Sequence, residues 1–146
     1  MFRLLAGVLV GFAAWLAVGA TGFLLLRTGW AAYALAEPAK AYTLGMLLSR
    51  LTVGVVCSIA AGYLATVVAN GNGKAAWWLG GFLLLISARV HLYDVWADYP
   101  VWYHFAYLLP LMPITGLGGR LASRRHTADD GSAQRRQPGY RQRESQ

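Results

Sequence analysis

From Leu4 to Leu26 the chain runs for 23 residues without a charged side chain, bracketed by Arg3 and Arg27. As an α-helix rising 1.5 Å per residue this stretch is about 35 Å long, enough to cross a bilayer core of roughly 30 Å with some tilt. Val18-Gly19-Ala20 offers small residues of the kind cleaved behind a secretory leader. The apolar run nevertheless continues through Phe23-Leu24-Leu25-Leu26, which a cleaved leader does not need, so the reading is a retained membrane helix.

The rest of the chain repeats the pattern. Hydrophobic residues make up 57% and charged residues 13%, against about 25% charged in soluble domains. Seven of the 13 basic residues lie between Arg120 and Gln146, which leaves six basic and three acidic residues over the first 119 positions. A segment this apolar has lipid as its natural solvent. The net charge of +7 sits in an Arg-rich tail directly after an apolar span, the usual composition of a cytoplasmic flank, so nucleic acid is not an expected partner. Cys57 stands alone inside an apolar run and is read as a small packing residue with no disulfide partner.

Four spans are expected, near residues 4–26, 41–69, 75–96 and 101–119. Glu37-Pro38 looks like a helix start, with proline tolerated in the first turn, so the second helix is expected to begin near Pro38. Asn70-Gly71-Asn72-Gly73 is a turn signal, and it makes the second and third spans antiparallel neighbours. Trp77 and Trp78 suit an interfacial belt. Asp98-Tyr99-Pro100 reads as the start of the last helix, where Pro110 and Pro113 are expected to introduce kinks. Residues 1–122 form the expected domain and 123–146 a disordered cytoplasmic tail. The fold class is therefore all-α, a polytopic membrane protein with a four-helix bundle. With the N-terminus inside and Arg50 not assigned to either side, nine basic residues face the cytoplasm and three, Arg27, Lys40 and Arg89, face outward, so both termini are expected to be cytoplasmic.

Helix association in lipid relies on close packing and polar contacts. Small residues at four-residue spacing, Gly7 and Gly11 in the first span and Gly54, Ser58 and Gly62 in the second, mark the expected contact faces.

Measured from the cytoplasmic ends, Arg89 lies about 21 Å up the third span, His104 about 22 Å up the fourth and Arg50 about 28 Å up the second. Tyr93, Asp94, Trp96, Asp98, Trp102, Tyr103 and Tyr107 share that end. Charges inside a membrane are costly and face the interior or water. Two readings of this layer stand. In one, Arg50, Arg89, His91, Asp94, His104, Tyr103 and Tyr107 line an outward-opening cup for an anionic headgroup or carboxylate, with proton exchange at the histidines. In the other, which the residues favour, the arginines snorkel and pair with Asp94, Asp98 and Glu37 while the aromatics anchor helix ends.

No metal or other cofactor is expected. Two histidines and scattered acids lack ligand spacing, a bis-His haem has no supporting motif, and Ser49 and Ser58 have no nucleophile motif around them. At the other end Arg120, Arg124 and Arg125 are candidates for anionic-lipid contact. Other partners are the bilayer itself and a larger membrane protein or a second copy of the chain.

Glu37-Pro38-Ala39, Ala41-Tyr42-Thr43, Arg50 and Pro100-Val101-Trp102-Tyr103-His104 together resemble a set of small four-helix bacterial membrane proteins of unknown function, over roughly residues 1–122. The resemblance implies a bacterial inner membrane and the same topology. It implies no activity. The expected role is a non-catalytic accessory or interaction subunit; the alternative is a lipid- or small-anion-binding protein or transporter component that uses the outer polar layer.

Overall fold

The computed structural model describes residues 1–135, with side chains to residue 128. It is helical throughout, with no strand among the described residues. Helix α1 spans Phe2–Gly29, a short α2 spans Ala31–Ala36, α3 spans Leu44–Val68, α4 spans Lys74–Arg89 and α5 spans Val101–Arg135. A π-helical turn, Val90–Asp94, extends α4, and a 3-10 turn, Trp96–Asp98, precedes α5. Among the described residues three helical stretches are long and apolar enough to cross a membrane: Phe2–Gly29, Leu44–Val68 and Lys74–Asp94, with mean hydropathies of 2.1, 2.0 and 1.4. Tyr103, His104, Tyr107, Pro110 and Pro113 make α5 less apolar than these.

Several boundaries differ from the sequence expectation, for local reasons. Helix α3 starts at Leu44 because the Thr43 hydroxyl accepts from the Met46 N–H at 3.4 Å, an N-cap contact. Residues 37–40 form a turn in which Lys40 takes a positive φ of 51°. Helix α3 ends in a Schellman motif, with Gly71 N–H on the Thr66 carbonyl, Asn70 N–H on the Val67 carbonyl and Asn70 left-handed at φ 59°. Asn72 Oδ1 then accepts from the Lys74 N–H at the start of α4. Helix α5 continues unbroken through Pro110 and Pro113 and past residue 122 to Arg135. Extending an existing helix adds a hydrogen bond per residue with no new nucleation, and the Arg, Ala and Gln of this stretch are good helix formers. The tail expected to be disordered lies, from residue 136 onward, outside the described residues.

Small residues position the helices. A Cβ on Gly7 would strike the Ala65 carbonyl, and one on Gly11 would lie 2.8 Å from Ala65 Cβ and 2.9 Å from the Ala61 carbonyl. The α1 glycines thus pack on an Ala61, Ala65, Ala69 stripe of α3, running antiparallel to it. The other stripe of α3 faces α5: Gly54 meets the Tyr107 ring and Gly62 meets the Thr115 carbonyl, while Gly118 meets the Ile59 carbonyl. Ser58 lies buried on that same stripe and donates to the Gly54 carbonyl at 2.7 Å. Helices α3 and α5 run parallel, in contact from Arg50 beside Tyr103 to Thr66 beside Gly119, and just past the end of α3 the Gly71 carbonyl accepts from Ser123 at 3.0 Å. Helix α4 fills the third side, with Gly80 against Met112 and Trp77 against Gly116. Only Gly7 and Gly11 of α1 are buried, so this helix is peripheral. Leu85 and Leu109, both 73% exposed, typify an outer surface that is apolar along the helix flanks.

Candidate functional site

The end of the molecule that carries the α1–α3 and α4–α5 connections is built around Arg50. Its guanidinium projects from the second turn of α3 and donates from Nη1 to the Tyr33 hydroxyl at 2.5 Å and to Tyr42 at 3.4 Å, and from Nη2 to Tyr99 at 3.1 Å. Tyr103 of α5 lies against it as well. The rings of Phe23, Tyr42 and Tyr99 lie 4.8, 4.9 and 5.5 Å from the guanidinium carbon. Arg50 therefore gathers α1, α2, both connections and α5. Burial raises the phenol pKa of Tyr33, Tyr42 and Tyr99 above the ordinary value, against the opposing pull of Arg50. The hydroxyls stay neutral at physiological pH, and the guanidinium rests on phenol oxygens and π faces.

The acids expected for Arg50 are engaged elsewhere. Glu37 pairs with Arg27 at 3.5 Å, Asp98 pairs with Lys40, and Asp94 pairs with Arg89 at 2.8 Å. Arg27 and Lys40 sit in or beside the connections where these carboxylates emerge, whereas Arg50 stands a turn inside α3. Among the described residues Arg50 has no carboxylate partner, and its Nε is buried without a hydrogen-bond acceptor. Arg89 does not join the cage: its side chain is 62% exposed, lies over the Tyr93 ring, and shares none of the Arg50 partners.

His91 and His104 come together beside the cage. Their Nδ1 atoms are 3.0 Å apart in a buried contact, and His104 Nε2 is 3.3 Å from the Trp96 carbonyl. A carbonyl only accepts, so His104 Nε2 is the donor to it, and the two Nδ1 atoms share one proton between them. The His91 ring stacks on Tyr107 at 4.5 Å. Among the described residues no three His, Cys, Asp or Glu side chains gather as a metal site requires.

The structure thus brings Arg50, Tyr103, Tyr107, His91 and His104 into one layer and leaves Arg89 and Asp94 at its rim. Phe23, Tyr33, Tyr42 and Tyr99 are the residues that sequence reasoning missed as partners of Arg50. The signal was present: six of the eight tyrosines, at 33, 42, 93, 99, 103 and 107, fall at the Arg50 end of the chain's helices.

At the opposite end, Arg125 donates to the Tyr63 hydroxyl at 3.4 Å and lies over that ring. Arg120 and Arg124 instead line a cleft with Trp77 and Gly116. No protein-family model, curated protein or solved structure matches this chain significantly.

Proposed function

We propose that the chain is a four-span protein of the bacterial inner membrane, with both termini cytoplasmic, acting as a non-catalytic accessory or interaction subunit. The fourth crossing is supported by the length over which α5 accompanies α3. The α5 residues at the two ends of that contact, Tyr103 and Ser123, are 20 residues apart, or about 30 Å of helix, which matches the hydrocarbon thickness. A helix that stays beside a spanning neighbour over that distance spans with it. Orientation rests on the charge asymmetry between the two ends, and the bacterial membrane on the resemblance noted above.

The observation that carries the accessory reading is the closure of the outer layer on itself. Arg27, Lys40, Arg50, Arg89, His91 and His104 each hold another side chain of this chain. Such a layer fixes the ends of the helices relative to one another and presents a rigid apolar flank, above all α1, to a neighbour. Extraction in a mild detergent is expected to recover the chain with a larger membrane protein. Repeated recovery of a lone monomer, including after cross-linking in the intact membrane, contradicts the reading.

A second reading, a small-anion or lipid-headgroup site in the outer layer, is favoured by the buried and unpartnered Arg50 Nε. It requires the anion to displace a phenol from the guanidinium. Chloride or phosphate titration would then change tyrosine absorbance in the wild type and not in Arg50→Gln, and a flat wild-type titration removes this reading.

A further inference from the structure

The two ends of the protein treat their cations differently. At the Arg50 end the lysine and every other arginine are paired with carboxylates. At the other end Lys74, Arg120 and Arg124 have no ion-pair partner among the described residues. Arg120 and Arg124, one turn apart on α5, line a cleft of about 370 Å³ whose wall includes Trp77. Lys74 and the same Trp77 open an adjoining groove of about 750 Å³, which continues along Gly81, Phe82, Leu85 and Met112. Trp77 lines both, and Gly73 of the cleft directly precedes Lys74 of the groove, so the charged cleft and the apolar groove adjoin.

The groove has the dimensions of one leaflet. Lys74 to Leu85 is 11 residues of α4, about 17 Å, or roughly half of the hydrocarbon core. Its floor is open at Gly81, where an added Cβ would meet nothing within 4 Å. A ligand suited to both parts carries a negative headgroup and a long apolar chain. A free anion gains nothing from the groove, and an apolar helix gains nothing from three cations at its mouth.

We propose that this cleft and groove bind one anionic phospholipid, with its phosphate among Lys74, Arg120 and Arg124 and an acyl chain along Trp77, Gly81 and Leu85. Basic pockets between membrane helices on the cytoplasmic side are suited to such headgroups. The site lies at the end opposite the Arg50 layer and does not depend on the accessory role.

The test is native mass spectrometry of the full chain, delipidated in detergent and titrated with phosphatidylglycerol or phosphatidylcholine. Each basic residue near the surface contributes about a fivefold preference for the anionic lipid, so three give about a hundredfold. The expected result is a single retained phosphatidylglycerol adduct, with that preference reduced to near parity in K74Q/R120Q/R124Q and kept in R120K/R124K. Gly81→Trp, which fills the groove, is expected to weaken long-chain phosphatidylglycerol at least tenfold while sparing a short-chain analogue. Equal retention of the two lipids by the wild type overturns the proposal. So do an unchanged preference in the glutamine variant, competition by free glycerol phosphate at equal concentration, and a groove covered by a second copy, seen as a stable dimer that excludes lipid.

Discussion

Gly62→Leu is expected to unseat α5 from α3 and to abolish recovery of folded protein. A Cβ at Gly62 falls on the Thr115 carbonyl, with the Thr115 carbonyl carbon at 2.8 Å and Cα at 3.2 Å. These are backbone atoms, and they cannot swing aside as a side chain tip does. Gly118 makes the reciprocal contact against the Ile59 carbonyl and the Tyr63 nitrogen, so the two backbones touch at two points one turn apart. Overpacking a well-filled core costs about 1–3 kcal/mol. Here the whole helix must move away, so alanine at position 62 is expected to cost about 3 kcal/mol and leucine more. The control is Gly19→Ala, where nothing lies within 4 Å, and the gain in helix propensity is up to about 1 kcal/mol. Thermal unfolding in detergent, followed by size-exclusion chromatography, separates the two. A Gly62→Leu protein as stable as wild type contradicts the close crossing.

Arg50→Met is the second large effect. The substitution removes the hydrogen bonds to Tyr33, Tyr42 and Tyr99 and the contacts over three aromatic rings. Hydrogen bonds between helices within a membrane average about 0.6 kcal/mol, and a partly desolvated cation–π contact contributes about 1–2 kcal/mol. Three such bonds plus one net cation–π contribution, since the three rings share a single guanidinium, amount to about 3 kcal/mol. The loss is expected to be local first, with the α1–α3 connection and the segment before α5 releasing while the lower helix crossings persist. Hydrogen exchange at residues 30–43 and 95–100 should rise well before exchange at residues 54–66. Arg50→Lys keeps the charge but not the planar fork that reaches several hydroxyls at once, so it is expected to recover less than half of the difference. Unchanged exchange in Arg50→Met would show that the cage does not hold the connections.

The helices were legible in the sequence to the extent that physics is local there. The uncharged run of α1 and the Asn70-Gly71-Asn72-Gly73 turn each carry their own structural reason. The Thr43 cap was also readable, but Pro38 offered a competing start, and only the turn with Lys40 in a left-handed conformation decides between them. The Gly54, Ser58, Gly62 stripe is visible as spacing, although the sequence does not say which neighbour it meets. The alanine stripe that receives α1 is hidden because alanine is common in apolar helices. The site was half legible. An arginine inside a span demands partners, and acids were the obvious ones. Tyr33 and Tyr99 lie 17 and 49 positions away from Arg50, in connections where tyrosine also reads as an interfacial anchor. What decides between these roles is the folding of the connections back over the bundle end, which no periodicity encodes. The π-helical turn that places His91 against His104 is likewise set by tertiary packing.

Four spans with cytoplasmic termini require α5 to cross the membrane beside α3. Single cysteines at Ala39, Asn72, Ala97 and Thr127, all exposed positions, in a Cys57→Ala background, report this in intact cells treated with a membrane-impermeant maleimide. Labelling at 39 and 97, with 72 and 127 protected until the cells are opened, is the predicted result. Labelling of 127 together with 97 would mean that α5 does not cross, and labelling of 72 and 127 alone would invert the orientation.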